Sequence, residues 1–345
     1  MNEPSSPLAP ICIPKKRSAW PLIIAGILIV TLGAGLLISL AANVVLVKAG
    51  VAVSAVRVGQ DRFSEVVMEG VGDDKIAIIP VKGFITFTDG RSIWERESMG
   101  KQVVERLQAA GEDSAVKAVI LTVDSPGGSI TGSDIIYHQV RELQAAGKKV
   151  VAVFEDLAAS GGYYVACPAD YIIAHPTTVT GSIGVIIQSL NLEGLMGKIG
   201  VRDVTIKRGE DKDILSPFRS LTPEEREMLQ GVVDEMYDRF LEIVAEGRGF
   251  SSEELNAVAG GRIFTGTQAL ANGLVDEIGY QDTAIDKAFE LAGLEAATVI
   301  KYRKVYSIFD LFRGQFSRIA AVPSGFAIQQ LFQPQTPRLL YLWTI

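Results

Sequence analysis

Ala118-Val119-Ile120-Leu121-Thr122-Val123, followed by Asp124-Ser125-Pro126-Gly127-Gly128, is the stretch that decides the fold class. A short apolar, β-branched run stopped by turn residues predicts a buried strand. A helical pattern comes next: Ile135, Ile136, Val140 and Leu143 recur at helical spacing, and Gly147 ends it. Residues 149–154 are another β-branched run, and a small-residue helix is expected from Ala158 onward. Working outward, residues 75–81, 171–174, 185–187 and 201–207 read as further strands. Thr222 caps a helix, Pro223 takes its first turn, Glu224 and Glu225 suit the positive end of its dipole, and Gly247 and Gly249 close it. Shorter helices are expected over 252–259 and 283–291. Strands alternating with helices predict an α/β domain with largely parallel strands.

The chain has 345 residues, 48% hydrophobic and 21% charged, with a formal charge of −7. That length allows one large domain or two small ones with attachments, and the composition excludes a disordered chain. Charge is unevenly spread: about +2 before Trp20, about +5 after Ile300, and hence about −14 between Lys48 and Ile300. An acidic body argues against nucleic-acid binding, which needs a basic face to displace counterions. Two cysteines, Cys12 and Cys167, are too few for a disulfide framework or a zinc knuckle.

The mean hydropathy, +0.26, is high for such a body, and the excess sits in residues 19–47, which hold no charge. About 20 apolar residues span a bilayer core, so this run is long enough even when tilted. Lys15, Lys16 and Arg17 precede it, Lys48 stands alone behind it, and Trp20 lies where an aromatic headgroup anchor belongs. A cleaved signal peptide ending near Ser39-Leu40-Ala41 would share this polarity, but the run is about twice the usual apolar region. A core helix would carry a polar face, and no lipobox follows the run. The expected layout is a cytoplasmic tail over 1–18, a transmembrane signal anchor over 19–47 and a connector over 48–74. An extracytoplasmic domain over 75–300 and a basic, apolar tail over 301–345 complete it, with the chain held in the inner (plasma) membrane.

Two Gly-rich turns, each placed after an apolar strand, carry the candidate chemistry. One is Asp124-Ser125-Pro126-Gly127-Gly128; the other is Ala159-Ser160-Gly161-Gly162-Tyr163-Tyr164. Serine in such a turn can be a nucleophile, and glycines in the other can supply oxyanion donors without steric hindrance. Taken alone, Ser-Gly-Gly is more often just a tight turn. A base for Ser160 could be His138 or His175, although a structural role is the default for both. A lysine made neutral by burial could also serve, and Lys207 and Lys212 share one loop after an expected strand. A lysine among acidic residues is usually a solvated charge pair. No phosphate loop, dinucleotide fingerprint, HExxH or GxSxG motif is present.

Five ordered pieces resemble the signal peptide peptidase A family in its short, single-repeat form. They are KIAIIPVKG (75–83), LTVDSPGG (121–128), ASGGYYVA (159–166), TGSIGV (180–185) and KDILSPFR (212–219). The resemblance covers about residues 65 to 290 and implies a ClpP/crotonase-type fold of stacked ββα units. It implies a serine peptidase with Ser160 as nucleophile and Lys212 as general base. Ser182 would position the lysine amine, and Gly127, or Gly128 instead, would be the oxyanion donor. It implies no metal or organic cofactor. Expected partners are signal peptides and other hydrophobic peptides, membrane lipid through 19–47, and further copies of the chain in a homo-oligomeric ring with sites at subunit interfaces. The tail after Lys301 would suit the membrane surface, the enzyme's own substrate groove, or plain solvent. A crotonase-type acyl-CoA enzyme and a non-catalytic membrane scaffold are the alternatives; the apolar run and the Ser160/Lys212 pair argue against the first, and the intact pair against the second.

Overall fold

The computed structural model describes residues 20, 26–37, 63–88, 98–305 and 339–342. The chain divides into two units, Met1–Arg62 and Phe63–Ile345. In the first, residues 26–37 are helical, whereas the rest of the expected anchor, Trp20 apart, lies outside the described residues. Among the described residues no helix is long and apolar enough to cross a membrane. The expected cytoplasmic tail over 1–18 likewise lies outside them.

The second unit is built on a sheet whose central strands are parallel. β1 (Phe63–Gly70) and β2 (Lys75–Lys82) open it, and β3 (Val116–Ser125) leads into the short β4 (Gly127–Ser129). β5 (Lys149–Ala159), β6 (Tyr171–Ala174), β7 (Val179–Gly181) and β8 (Ile186–Ile187) follow. β9 (Ile263–Thr265), β10 (Glu277–Ile278), β11 (Thr298–Lys304) and β12 (Leu339–Leu342) come last. The order is β1-β11-β2-β3-β5-β6-β10, with β7 joining the end of β5 and β9 joining β7. β2, β3, β5 and β6 run parallel in that order, which is the α/β arrangement expected from the alternation.

Both faces of the central strands are covered, which is why these strands read as continuous apolar runs. On one face Ala77, Ile79, Val119, Leu121, Val150 and Phe154 pack with Val103, Leu107, Ile136, Val140 and Phe240 from helices. On the other, Ile76, Ile78, Ile120, Val151 and Ile173 pack against Ala284 and Ala288 of the helix Gln281–Ala292. Neighbours such as Ile78 and Ile79 therefore serve different cores, and each buried aliphatic side chain contributes about 1.5–3 kcal/mol.

Three expectations change. The connector over 48–74 contains β1, which pairs antiparallel with β11 from Phe63↔Lys304 to Gly70↔Thr298. β1 is an edge strand with mostly exposed side chains, so it lacks the apolar run that reveals a central strand. The body likewise continues past 300, because β11 extends to Lys304. Residues 201–207 form no strand: they are exposed throughout and pair with no strand among the described residues. Their alternation mimics a half-buried strand, but no neighbouring edge accepts it.

The long helix Pro223–Arg248 begins as expected, with a capping box between Thr222 and Glu225, and ends at Gly249 in the left-handed region. A second, small sheet has the order β4-β12-β8.

Candidate active site

β5 delivers Ser160 at its end, immediately before the short helix Gly161–Ala166. Ser160 has φ 54° and ψ −117°, a conformation that a residue with a Cβ adopts only under constraint. The constraint is visible. The Ser160 N–H donates to Gly181 O at 2.8 Å, and Ser160 O accepts from Tyr164 N–H at 2.9 Å. The helix beyond is pegged into the core by two buried tyrosines. Tyr163 donates through its hydroxyl to Leu274 O at 2.8 Å, and Tyr164 to Asp134 Oδ1 at 2.7 Å. Burial pushes the Tyr163 phenol well above its usual range, so it stays a neutral donor.

The two Gly-rich turns lie against each other. A Cβ on Gly161 would fall 2.5 Å from Ser133 Oγ and 3.1 Å from Gly127 Cα, and one on Gly162 would fall 2.6 Å from Ser125 O. Only glycine permits this approach, so the Ser-Gly-Gly pattern is explained by packing as well as by chemistry. Ser160 Oγ is buried at this junction and has no hydrogen-bond partner among the described residues. An orphaned buried hydroxyl costs about 1–3 kcal/mol, and such exceptions are rare.

Strand geometry separates the two candidate oxyanion donors. Gly127 N–H donates to Ser125 Oγ at 3.1 Å, and Gly127 O accepts from Ile85 N–H at 2.8 Å. Ser129 N–H donates to Ile85 O at 2.8 Å. With both of these neighbours turned toward Ile85, alternation along β4 turns the Gly128 N–H and C=O to the opposite edge. The Gly127 N–H is thus taken by Ser125 Oγ, whereas the Gly128 N–H faces the edge of β4 away from Ile85.

Ser182 stands beside Ser160. β5 and β7 are parallel and pair Ala159 with Gly181, so each serine is the next residue on its strand. Ser182 also has a positive φ, 51°, and is buried; its N–H donates to Arg262 O at 2.6 Å.

Lys212 lies in the 3-10 turn Glu210–Asp213 and is exposed. The single chain brings Ser160, Ser182 and Gly128 together but leaves Lys212 without a hydrogen bond to the unpartnered Ser160 Oγ. Lys207 is held instead by Asp213 Oδ1 at 2.5 Å and Glu210 O at 2.6 Å. His138 is exposed, and His175 packs its ring on Tyr280 with centroids 5.0 Å apart. Neither reaches Ser160 Oγ.

Sequence reasoning missed a clamp behind Lys212. Arg219 donates to Asp213 through Nη2 at 2.7 Å and Nε at 3.1 Å, and to Glu225 Oε2 through Nη1 at 2.8 Å. Glu225, nearly fully buried, accepts in turn from Thr222 N–H at 2.9 Å. The loop carrying Lys212 is therefore fastened to the start of the long helix. Beside Arg219, the Asp213 carboxyl is held far below the usual range and that of Glu225 is lowered to about 2. The capping box was a legible signal for Glu225; nothing marked Arg219 as its partner.

Residues 142–295 match the family model described as Peptidase family S49. The chain is 41% identical over 240 residues to the "Putative signal peptide peptidase SppA" of Enterococcus faecium, covering 69% of this chain and 70% of that one. It is 40% identical over 229 residues to Protease 4 of Haemophilus influenzae, covering 66% of this chain and 36% of that protein. Among solved structures, a ClpP1 variant from Listeria monocytogenes aligns with TM-score 0.39 at 16% identity, over 59% of this chain and 92% of that one.

Proposed function

The chain belongs to peptidase family S49 as a serine peptidase of the SppA and protease 4 kind, and we propose that it is a membrane-anchored endopeptidase with a Ser/Lys dyad. Its substrates are remnant signal peptides and other hydrophobic peptides. Ser160 is the nucleophile, Lys212 the general base, Ser182 the residue that positions the lysine amine, and Gly128 the oxyanion donor. One observation carries this reading above the rest: the buried, unpartnered Ser160 hydroxyl on a positive-φ turn against the glycine turn of β4.

The mechanism is acyl transfer. The Lys212 amine, as general base, takes the Ser160 proton as Oγ attacks the peptide carbonyl carbon. The Gly128 N–H holds the oxyanion that forms. The protonated lysine then returns the proton to the leaving amine, breaking the C–N bond, and water hydrolyses the acyl-enzyme by the same route.

Lys212 serves a neighbouring copy of the chain. Two features support this: Lys212 makes no bond to Ser160, and the stretch leading to it is apolar yet exposed. Leu190 is 72% exposed, Val204 83% and Ile206 97%. Large apolar side chains this exposed suit an interface, and a closed ring would bury them. Residues 19–47 act as the anchor with the N-terminus in the cytoplasm, which the Lys15-Lys16-Arg17 cluster favours, and the peptidase domain lies outside the inner membrane. The test is a serine-reactive fluorophosphonate probe on wild type, Ser160→Ala and Lys212→Ala. Labelling at Ser160 that is lost in both variants is expected; labelling that persists in Ser160→Ala removes the proposed nucleophile.

A further inference from the structure

Ser160 and the Gly128 N–H stand on different elements, so their separation depends on what joins those elements. Gly128 lies in the three-residue strand β4, and Ser129, the last residue of that strand, caps the helix Ile130–Ala145 by accepting from Gly132 N–H at 3.2 Å. The glycine strand and that helix are therefore one continuous piece. Ser160 immediately precedes the helix Gly161–Ala166, whose six residues are too few to hold a helical shape unaided.

Tyr164 joins the two pieces. Its N–H donates to Ser160 O at 2.9 Å, one turn from the serine, and its hydroxyl donates to Asp134 Oδ1 at 2.7 Å, in the second turn of the helix Ile130–Ala145. The Tyr137 ring of that helix meets the Tyr164 ring edge-on at 5.7 Å. The long helix Pro223–Arg248 backs the junction: Phe240 lies 5.1 Å from the Tyr164 ring, and Arg239 Nη2 lies 3.7 Å from the same Asp134 oxygen. A buried tyrosine hydroxyl needs some partner, and a backbone carbonyl, that of Leu274, suffices for Tyr163. Tyr164 instead bonds a carboxylate, which makes a hydrogen bond about twice as strong as a neutral one. That carboxylate belongs to the helix that continues the glycine strand.

We infer that Asp134 is a positioning residue for the peptidase reaction: acting through Tyr164, it fixes Ser160 relative to the Gly128 N–H, so that nucleophile and oxyanion donor meet the same carbonyl group. The inference rests on the peptidase reading above. Asp134 acts only through Tyr164 and its helix. A pair that has come loose still admits a peptide but no longer fits the tetrahedral stage, so the loss falls on kcat rather than on KM.

The test uses the full-length chain, a fluorogenic hydrophobic peptide, and a peptide aldehyde whose hemiacetal with a serine imitates the tetrahedral stage. Tyr164→Phe keeps the ring, and Asp134→Ala changes a half-exposed side chain, so both variants are expected to fold. Each is expected to lower kcat about tenfold with KM within about twofold, and to weaken aldehyde inhibition by about the same factor as kcat. Asp134→Asn keeps an acceptor oxygen and is expected to lose less than Asp134→Ala. Both single changes break one bond, so the double variant is expected to be no slower than the slower single variant. Unchanged kcat in either single variant, equal losses in Asp134→Asn and Asp134→Ala, or losses that multiply in the double variant overturn the inference. A lowered melting temperature with kcat intact also overturns it, because the bond would then serve folding alone. Wild-type turnover that survives Ser160→Ala overturns the peptidase reading itself, which keeps the two failures apart.

Discussion

Ser160 and Ser182 directly follow two neighbouring parallel strands in register: Ala159 pairs with Gly181, and the Ser160 N–H donates to Gly181 O at 2.8 Å. Both serines have positive φ, 54° and 51°, although neither is glycine. Two constrained serines side by side, one with an orphaned hydroxyl, are what a serine nucleophile and a positioning hydroxyl require. Ser182→Ala should therefore lower kcat by about tenfold or more with little change in KM. An unchanged kcat would assign Ser182 to structure alone.

The strain at Ser160 gives a stability signature separate from chemistry. Ser160→Gly and Ser160→Ala both lack the hydroxyl and should both be inactive. Glycine, however, accepts φ 54° and ψ −117° without a Cβ penalty. Ser160→Gly should be the more stable of the two by about 1 kcal/mol in denaturant unfolding. Equal stabilities would mean that the turn is not strained.

Gly128 has no room for a side chain. A Cβ there would lie 2.2 Å from Ile85 O and 2.7 Å from Ile85 N, both backbone atoms. Gly128→Ala should shift β4, misdirect the amide and reduce kcat/KM by about 100-fold or more. A Gly128→Ala enzyme of near wild-type rate would move the oxyanion donor elsewhere.

The Asp213–Arg219–Glu225 clamp has a defined pH signature. Both carboxyls have lowered folded-state values, Glu225 at about 2. Groups of this sign add stability above their unfolded values, near 4, and lose it as pH falls through the folded ones. The clamp should therefore persist well below pH 4 in wild type. Arg219→Gln should raise the midpoint of acid unfolding followed by near-UV circular dichroism, and should lower kcat because Lys212 is no longer held. An acid midpoint identical to wild type would show that the clamp contributes nothing.

The central strands were legible because burial on both faces leaves unbroken β-branched runs, as in Ala118–Val123. Ser160 and the glycine turns were legible as a pair because each follows such a run. The choice between Gly127 and Gly128 was not, since it depends on which strand edge Ile85 occupies. β1 was hidden by its exposure, and residues 201–207 misled by alternating without a partner strand. Arg219 gave no local signal either, because its role comes from a turn that brings Asp213 and Glu225 to the same guanidinium.

The most direct test of the central claim, a Ser160/Lys212 dyad completed between copies, is to mix Ser160→Ala with Lys212→Ala in equal amounts and allow subunits to exchange. Each variant alone should be inactive. Random mixing leaves about one interface in four with an intact serine facing an intact lysine, so about a quarter of wild-type peptidase activity is expected to return. No recovered activity in oligomers verified to contain both variants would contradict the claim.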